Sequence, residues 1–326
     1  MYRTEPLLAG TVPMVTSLLE TSPYRPFAVY VRDYGQEAIG RFFTDAVQGR
    51  LSSAEARSVG LWQGDRIAGL AVWSTLSLES QVFGFRTARL EYLLAEGEYR
   101  SQREIKRHLL TEVLDQCMAA QVRHISIRVD AADLSSIHAL EESGFILVDG
   151  LITYGRRLEG GPWLSSQPGF QIRSISAADL PEVKALARSA YTLDRLHADP
   201  FIPKSAADEI HAVWLENSFS PSTADLVLVA ADGMGILGYS VFRVNETTIP
   251  YFGEPMGVWV IAATAERARA RGVAKSLCYA MLDWHKEQGV RIVEGGTQLA
   301  NVASARLHES CGFRVVNTGL SMSKGI

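Results

Sequence analysis

The chain contains itself twice. The stretch "VRHISIRVDAADLSSIHALEESGFILV", residues 122–148, aligns without a gap with "VRIVEGGTQLANVASARLHESCGFRVV", residues 290–316, at a shift of 168 (290 minus 122). Val122, Arg123, Ala132, Ser136, Glu141, Gly144, Phe145 and Val148 recur as Val290, Arg291, Ala300, Ser304, Glu309, Gly312, Phe313 and Val316. A second pair lies at almost the same shift. "VGLWQGDRIAGLAVW", residues 59–73, and "VLVAADGMGILGYSVF", residues 227–242, both read strand, Gly/Asp turn, strand. Two matches at one spacing argue for duplication of a whole domain. A length of 326 residues agrees, being more than one core usually serves. Domains are expected at 1–160 and 169–326, with the boundary near "EGGPWLSSQPG", residues 159–169, which is rich in Gly, Ser and Pro.

Each copy reads alike: a helix, a β-hairpin, a long strand, then helix, strand, helix and a final strand. This is a mixed-sheet α/β (α+β) pattern. In the second copy Ser176 can cap a helix through Ala190. The hairpin spans 226–244 and the long strand 256–263. A helix follows at 273–288, with Leu277, Met281, Leu282 and Trp284 on its apolar side. Gly289 suits its left-handed cap. A strand is expected at 290–295, a helix at 302–311 stopped by Gly312, and a last strand at 315–323.

Composition excludes several classes. The chain is 47% hydrophobic and 21% charged, which is ordinary for a globular protein and wrong for disorder. A net charge of −4 gives no whole-chain attraction to nucleic acid. No apolar run approaches the ~20 residues of a membrane helix. "MYRTEPLLAG" lacks a basic start followed by an apolar core, so a cytoplasmic location is the default expectation. Cys117, Cys278 and Cys311 are odd in number and scattered, and suggest neither a disulfide framework nor a metal site. No metal is expected.

Chemistry concentrates at "RARGVAKSL", residues 269–277, between the long strand and the helix. The first turn of a helix has unpaired N–H groups and the positive end of the dipole. An anion docks there when side chains leave room. Gly272, Val273 and Ala274 leave backbone accessible, while Arg269, Arg271 and Lys275 add charge. A pyrophosphate suits such a turn. The plainer alternative is a tight strand-to-helix turn on a basic, solvated face.

The pattern Arg/Gln-x-x-Gly-x-Gly/Ala after an apolar strand resembles the acetyl-CoA loop of the GCN5-related N-acetyltransferases (GNAT). So does "NVASARLHESCGF", residues 301–313, in that family's order and at its usual distance. The resemblance covers the second half well and the first more weakly. It implies two tandem GNAT-like domains and acetyl-CoA as acyl donor. The strand end at Ala262, Ala263 and Thr264 would pair with the pantetheine arm as an added strand. The amides of Arg269, Ala270, Arg271, Gly272, Val273, Ala274 and Lys275 would hold the pyrophosphate. Asn301 would bond the pantetheine, with Ser304 nearby. A backbone N–H near Ala262 or Ala263 would polarise the acyl carbonyl. Where many relatives have a tyrosine that protonates the departing thiolate, this chain has His308, the expected catalytic acid. Ala270 and Ala274 stand where glycines are common.

In the first copy the same loop falls on "SQREIK", residues 101–106. Glu104 replaces Gly272, Lys106 replaces Ala274, Asp133 replaces Asn301 and Leu140 replaces His308. That domain is expected to be degenerate, serving as a support or helping to bind the acceptor.

The segment 187–218 follows the second copy's first helix, where the resemblance places acceptor binding. Tyr191, Arg195, His197 and Lys204 are its informative polar side chains, with Arg suited to phosphate or carboxylate. Arg-x-His-x-Asp-Pro-x-x-Pro, then Trp-x-x-Asn-Ser, resembles the dTDP-fucosamine acetyltransferase group, as does "ESQVFGFRTARLEYL", residues 79–93. The implied partner is a small-molecule amine, best a nucleotide-linked deoxyamino sugar. The alternatives are a tandem acetyltransferase resembling mycothiol synthase and a non-catalytic acyl-CoA-binding module. Glu254 and His197 are candidate bases.

Overall fold

A computed structural model describes residues 2–7, 12–163, 169–218 and 224–326. Residues 164–168 of the expected linker lie outside the described residues. In chain order the strands are β1 (Tyr2–Glu5), β2 (Ala56–Gln63), β3 (Arg66–Thr75), β4 (Thr87–Ala95), β5 (His124–Asp130) and β6 (Ile146–Arg157), then β7 (Gln171–Ser174), β8 (Leu226–Asp232), β9 (Gly235–Asn245), β10 (Met256–Thr264), β11 (Ile292–Gln298) and β12 (Arg314–Gly325). The helices are α1 (Val12–Thr21), α2 (Val31–Tyr34), α3 (Gln36–Leu51), α4 (Ser77–Phe83), α5 (Tyr99–Ala119) and α6 (Leu134–Glu142), then α7 (Leu180–Ala190), α8 (Lys204–Asn217), α9 (Ile249–Phe252), α10 (Val273–Glu287) and α11 (Val302–Ser310). None of the helices among the described residues is long and apolar enough to cross a membrane.

Packing divides the chain differently from the repeat. One unit holds residues 1–149 and 319–326, the other 150–318. In the first unit the strand order is β1-β2-β3-β4-β5-β12; in the second it is β6-β11-β10-β9-β8-β7. The final strand of each copy therefore completes the sheet of the other unit. Residues 319–325 of β12 pair antiparallel with β5, and residues 151–157 of β6 pair antiparallel with β11. The boundary expected at 159–169 falls inside the second unit, between β6 and β7, because β6 has already joined that sheet. The repeat shows where sequence was copied; strand pairing decides which core each strand serves.

Within the second unit, α10 covers the sheet with Val273, Leu277, Cys278, Met281 and Leu282, all buried against Phe242, Trp259, Val293 and Phe313. The apolar 3.6-residue stripe read from the sequence is this face. Val183 and Ala187 of α7 lie buried in another cluster with Tyr239 and Val241. Ser176 and Asp179 form a reciprocal cap at the start of the α7 segment, where a cap was expected. Gly289 and Gly312 have φ of 74° and 78°, which places both helix stops in left-handed backbone.

The first unit preserves a trace of duplication. The β9–β10 register skips one residue between Trp259 and Ile261, and the β3–β4 register skips one opposite Val72 and Trp73. Both copies thus carry a bulge on the long strand, a device that bends a strand and re-aims its edge. The helices α2 and α3 go beyond the single opening helix expected of the first copy; α3 buries Ile39, Phe43 and Val47.

Candidate functional site

Strand β10 has two neighbours only at its start. It pairs in parallel with β11 at Gly257–Val293, Val258–Glu294 and Trp259–Gly295. Beyond Trp259 it stays with β9 to Thr264, while β11 stays with β6 to Gln298. The two parallel strands part at the bulge, where Val260 is exposed. Antiparallel pairing alternates the direction of backbone groups. Ala265 N–H donates to Leu237 C=O at 2.8 Å, so Ala263 faces β9 and Ala262 and Thr264 face the opened side. The expectation of a free amide at Ala262 or Ala263 therefore narrows to Ala262.

The glycine turn lies directly past this edge. A short 3-10 turn at Glu266–Ala268 leads to Ala270, at φ 61°, and Gly272, at φ 78°. Left-handed residues at both positions turn successive N–H groups into a concave cradle. Gly272 C=O accepts from Ser276 N–H, starting α10, while the first-turn amides have no intrahelical partner. A Cβ at Gly272 would meet nothing within 4 Å, so its mouth is open. Ala270 adopts the backbone for which glycine is commoner, which accounts for that departure without closing the turn.

The charges around the turn divide. Arg267 and Arg271 approach Asp232 at 3.2 and 3.4 Å, and Arg267 also donates to Ile236 C=O. They brace the turn against the β8–β9 hairpin. Arg269 is exposed, and Lys275 lies 5.5 Å from the Tyr279 ring. Asn301 Oδ1 accepts from Ser304 N–H at 3.1 Å and caps α11, leaving its NH2 group as the donor available to a ligand. The cradle, the open edge and Asn301 fit a pyrophosphate joined to an amide-bearing arm.

His308 is buried. It is 3% exposed and lies among Tyr154, Trp259 and Phe313, with ring centroids 4.7, 4.8 and 5.5 Å away. Its Nδ1–H donates to Ser304 C=O at 2.8 Å, and its buried Nε2 has no partner among the described residues. A Cβ built on Gly295 would come 3.3 Å from Nε2, so the ring fills the place beside that glycine. Burial lowers its pKa, and the backbone bond to Ser304 does not reverse this. A neutral ring with its proton on Nδ1 has none to give from Nε2. This hydrogen bonding argues against the expected donor role.

The acceptor-side expectations also change. Tyr191 OH donates to Ala262 C=O at 3.0 Å and meets Tyr239 OH at 2.9 Å, which puts a hydroxyl on the open edge. Burial raises the Tyr191 pKa well above its ordinary value, so it stays a neutral hydroxyl. His197 does not face outward: Nδ1 lies 2.6 Å from Asp194 and Nε2 2.9 Å from Asp208. Burial pulls its pKa down, but the bonds to Asp208 and Asp194 outweigh it and the ring ends above its ordinary value. A ring whose two nitrogens are both taken by carboxylates is no free base. Glu254 is bound to Arg291 at 2.8 Å, before β10 begins and at the wrong end of that strand. Arg195 is half-buried in the same segment. His211, which sequence reasoning did not single out, stacks on Tyr191 at 4.4 Å.

The first unit shows why its copy differs. Lys106 turns inward and donates to Asp133 at 3.0 and 3.1 Å and to Ser135 at 2.8 Å. Asp133 caps α6 through Ser136 N–H, as Asn301 caps α11. Burial opposes its charge, but Lys106, Ser136 and Ser135 hold the carboxyl below its usual range. The groups matching the second unit's cradle and asparagine are locked to each other.

Comparison with known proteins places similarities over both the second copy and the whole fold. Residues 190–313 match the acetyltransferase (GNAT) family. The spore coat polysaccharide biosynthesis protein SpsD of Bacillus subtilis (strain 168) is 24% identical over 260 residues, covering 78% of this chain and 83% of that protein. A GCN5-related N-acetyltransferase from Sphaerobacter thermophilus superposes with a TM-score of 0.66 at 15% identity, over 99% of this chain and 95% of that one. A tandem GNAT protein from the clavulanic acid biosynthesis pathway superposes with a TM-score of 0.60 at 14% identity, over 100% and 98% of the two chains. Residues 190–313 are thus similar to the acetyltransferase (GNAT) family, and the whole chain shares the fold of these solved structures.

Proposed function

We propose that the second unit transfers an acetyl group from acetyl-CoA to the amine of a small molecule, best a nucleotide-linked deoxyamino sugar. The observation that carries this reading is the parting of β10 from β11 immediately before an open, left-handed cradle of amides. The amides of Arg269 and Arg271 close the turn on Glu266 and Ala268 C=O, so those of Ala270 and of Gly272 to Lys275 hold pyrophosphate; Ala262 and Thr264 offer backbone groups to the pantetheine arm, and Asn301 donates to it. The N–H of Ala262 polarises the acyl carbonyl, in the manner of an oxyanion hole. Cys117, Cys278 and Cys311 are all buried, which favours direct attack by the amine over a cysteine intermediate. Tyr191 stands at the edge where acceptor and acyl group would meet. The sugar acceptor draws support from the likeness to a spore coat polysaccharide biosynthesis protein and from Arg195. The decisive experiment is CoA release from acetyl-CoA across a panel of nucleotide amino sugars and simple amines, with products identified by mass. Release with simple amines alone would favour the mycothiol-synthase-like alternative. No release with any amine, despite tight CoA binding, would favour the binding module.

Two outcomes bear on parts of this reading. Calorimetry should find a single acetyl-CoA site per chain, because Lys106 and Asp133 lock the matching place in the first unit. Two equivalent sites would mean that this pair opens. Arg195→Ala should raise the acceptor KM ~10–100-fold and leave that for acetyl-CoA unchanged, as expected for one lost charge-assisted contact to phosphate. An unchanged acceptor KM would point to an uncharged amine.

A further inference from the structure

The turn between α7 and α8 gathers two histidines and an aspartate that the acetyl-transfer reading leaves without a task. Asp194 Oδ2 lies 2.6 Å from His197 Nδ1 and 3.5 Å from His211 Nε2. These three atoms all lie within 4.8 Å of one another. Asp194 is held by its other oxygen, which accepts from Leu196 N–H at 2.8 Å and His197 N–H at 3.2 Å.

The outer nitrogen of each ring is also fixed. His197 Nε2 is 2.9 Å from Asp208 Oδ1, and His211 Nδ1–H donates to Ala207 C=O at 2.8 Å. A carboxylate or backbone carbonyl on the far nitrogen is how metal-binding imidazoles are commonly oriented. With its proton on Nδ1, neutral His211 turns the lone pair of Nε2 toward a carboxylate oxygen at 3.5 Å. A cation placed between these two acceptors would satisfy both.

We infer that Asp194, His197 and His211 form a binding site for one divalent transition-metal ion, with Zn2+ the best match. Two imidazoles and a carboxylate suit Zn2+, and ligand bonds of ~2.0–2.1 Å put tetrahedral ligand atoms about 3.3 Å apart. The Asp194–His211 spacing already meets this. Asp194 and His197 must separate from 2.6 Å by about 0.7 Å, and the proton they share leaves as the ion enters. Water completes the shell. The ion joins the 194–197 turn to α8 and fixes His211, whose ring carries Tyr191 against the open edge of β10. It is a structural ion placed behind the acceptor side of the site.

The test uses the full chain, stripped with a chelator and titrated with Zn2+ against a chromophoric competitor at neutral pH. About one ion per chain should bind and raise Tm, because an ion bound only by the folded state stabilises it. Co2+ should give the intense visible bands of a tetrahedral site. Asp208→Asn, a change at the partly exposed rim, should weaken Zn2+ ~10–100-fold, and His211→Ala should abolish uptake. No uptake at micromolar free Zn2+ would overturn the site, as would binding unchanged in Asp208→Asn or retained in a folded His211→Ala.

Discussion

Gly272→Glu should remove acetyl-CoA binding, by ~100-fold or more, and leave the fold standing. The position is left-handed at φ 78°, so any L-residue there costs about 1–2 kcal/mol of backbone strain. The surroundings add nothing, since a Cβ would meet no atom within 4 Å. A carboxylate at this point stands where a pyrophosphate would sit. It faces the amides that would hold it, and like charge excludes the phosphate. A hundredfold loss corresponds to about 2.7 kcal/mol, within reach of one repulsion plus one blocked contact. Gly272→Ala separates the two effects, because it carries the same strain without the charge. It should weaken the cofactor by less than ~10-fold. Calorimetry with acetyl-CoA and thermal unfolding of both variants supply the comparison. Parent-like affinity in a folded Gly272→Glu would move the pyrophosphate elsewhere.

What could be read from sequence follows the range of the forces involved. Gly272, Gly289 and Gly312 were legible because a left-handed residue is a local demand that glycine meets at least cost. The cap at Ser176 and the apolar face of α10 are local in the same sense. The exchange of β6 and β12 was not legible. The repeat fixes where each strand begins but not which sheet edge it reaches, and both edges accept the same alternation. The inward turn of Lys106 was hidden for a related reason: alignment shows the missing glycine, while the partner Asp133 comes from another element. His197 and His211 are separated by a turn and most of a helix, and only folding brings both onto Asp194. The burial of His308 is the most instructive case. Its neighbours in "SARLHES" are mostly polar, and the burying groups arrive from β6, β10 and Phe313, just before β12.

His308→Phe should fold, turn over substrate within about threefold of the parent, and resist acid better. The ring would keep its contacts with Tyr154, Trp259 and Phe313, and the buried, unpartnered Nε2 would be gone. His308→Ala instead leaves a hole among those rings and should cost ~2–4 kcal/mol of stability. The sign of the pH effect follows from the lowered pKa. Above the unfolded value of ~6.5 both states are neutral and the group contributes nothing. As pH falls below ~6.5 the unfolded chain takes up a proton that folded His308 refuses, so the parent loses stability. The phenylalanine variant lacks that loss, and its advantage in urea unfolding should grow between about pH 7 and pH 5. His211 and His285 are also held below their ordinary values by burial, so part of the acid sensitivity remains. The rival outcome is equally distinct. If kcat in His308→Phe drops ~10²–10⁴-fold with acetyl-CoA affinity and Tm unchanged, the ring does deliver the proton to sulfur. Nε2 would then have to be protonated within the catalytic complex, with acetyl-CoA on the open edge of β10 supplying its missing partner.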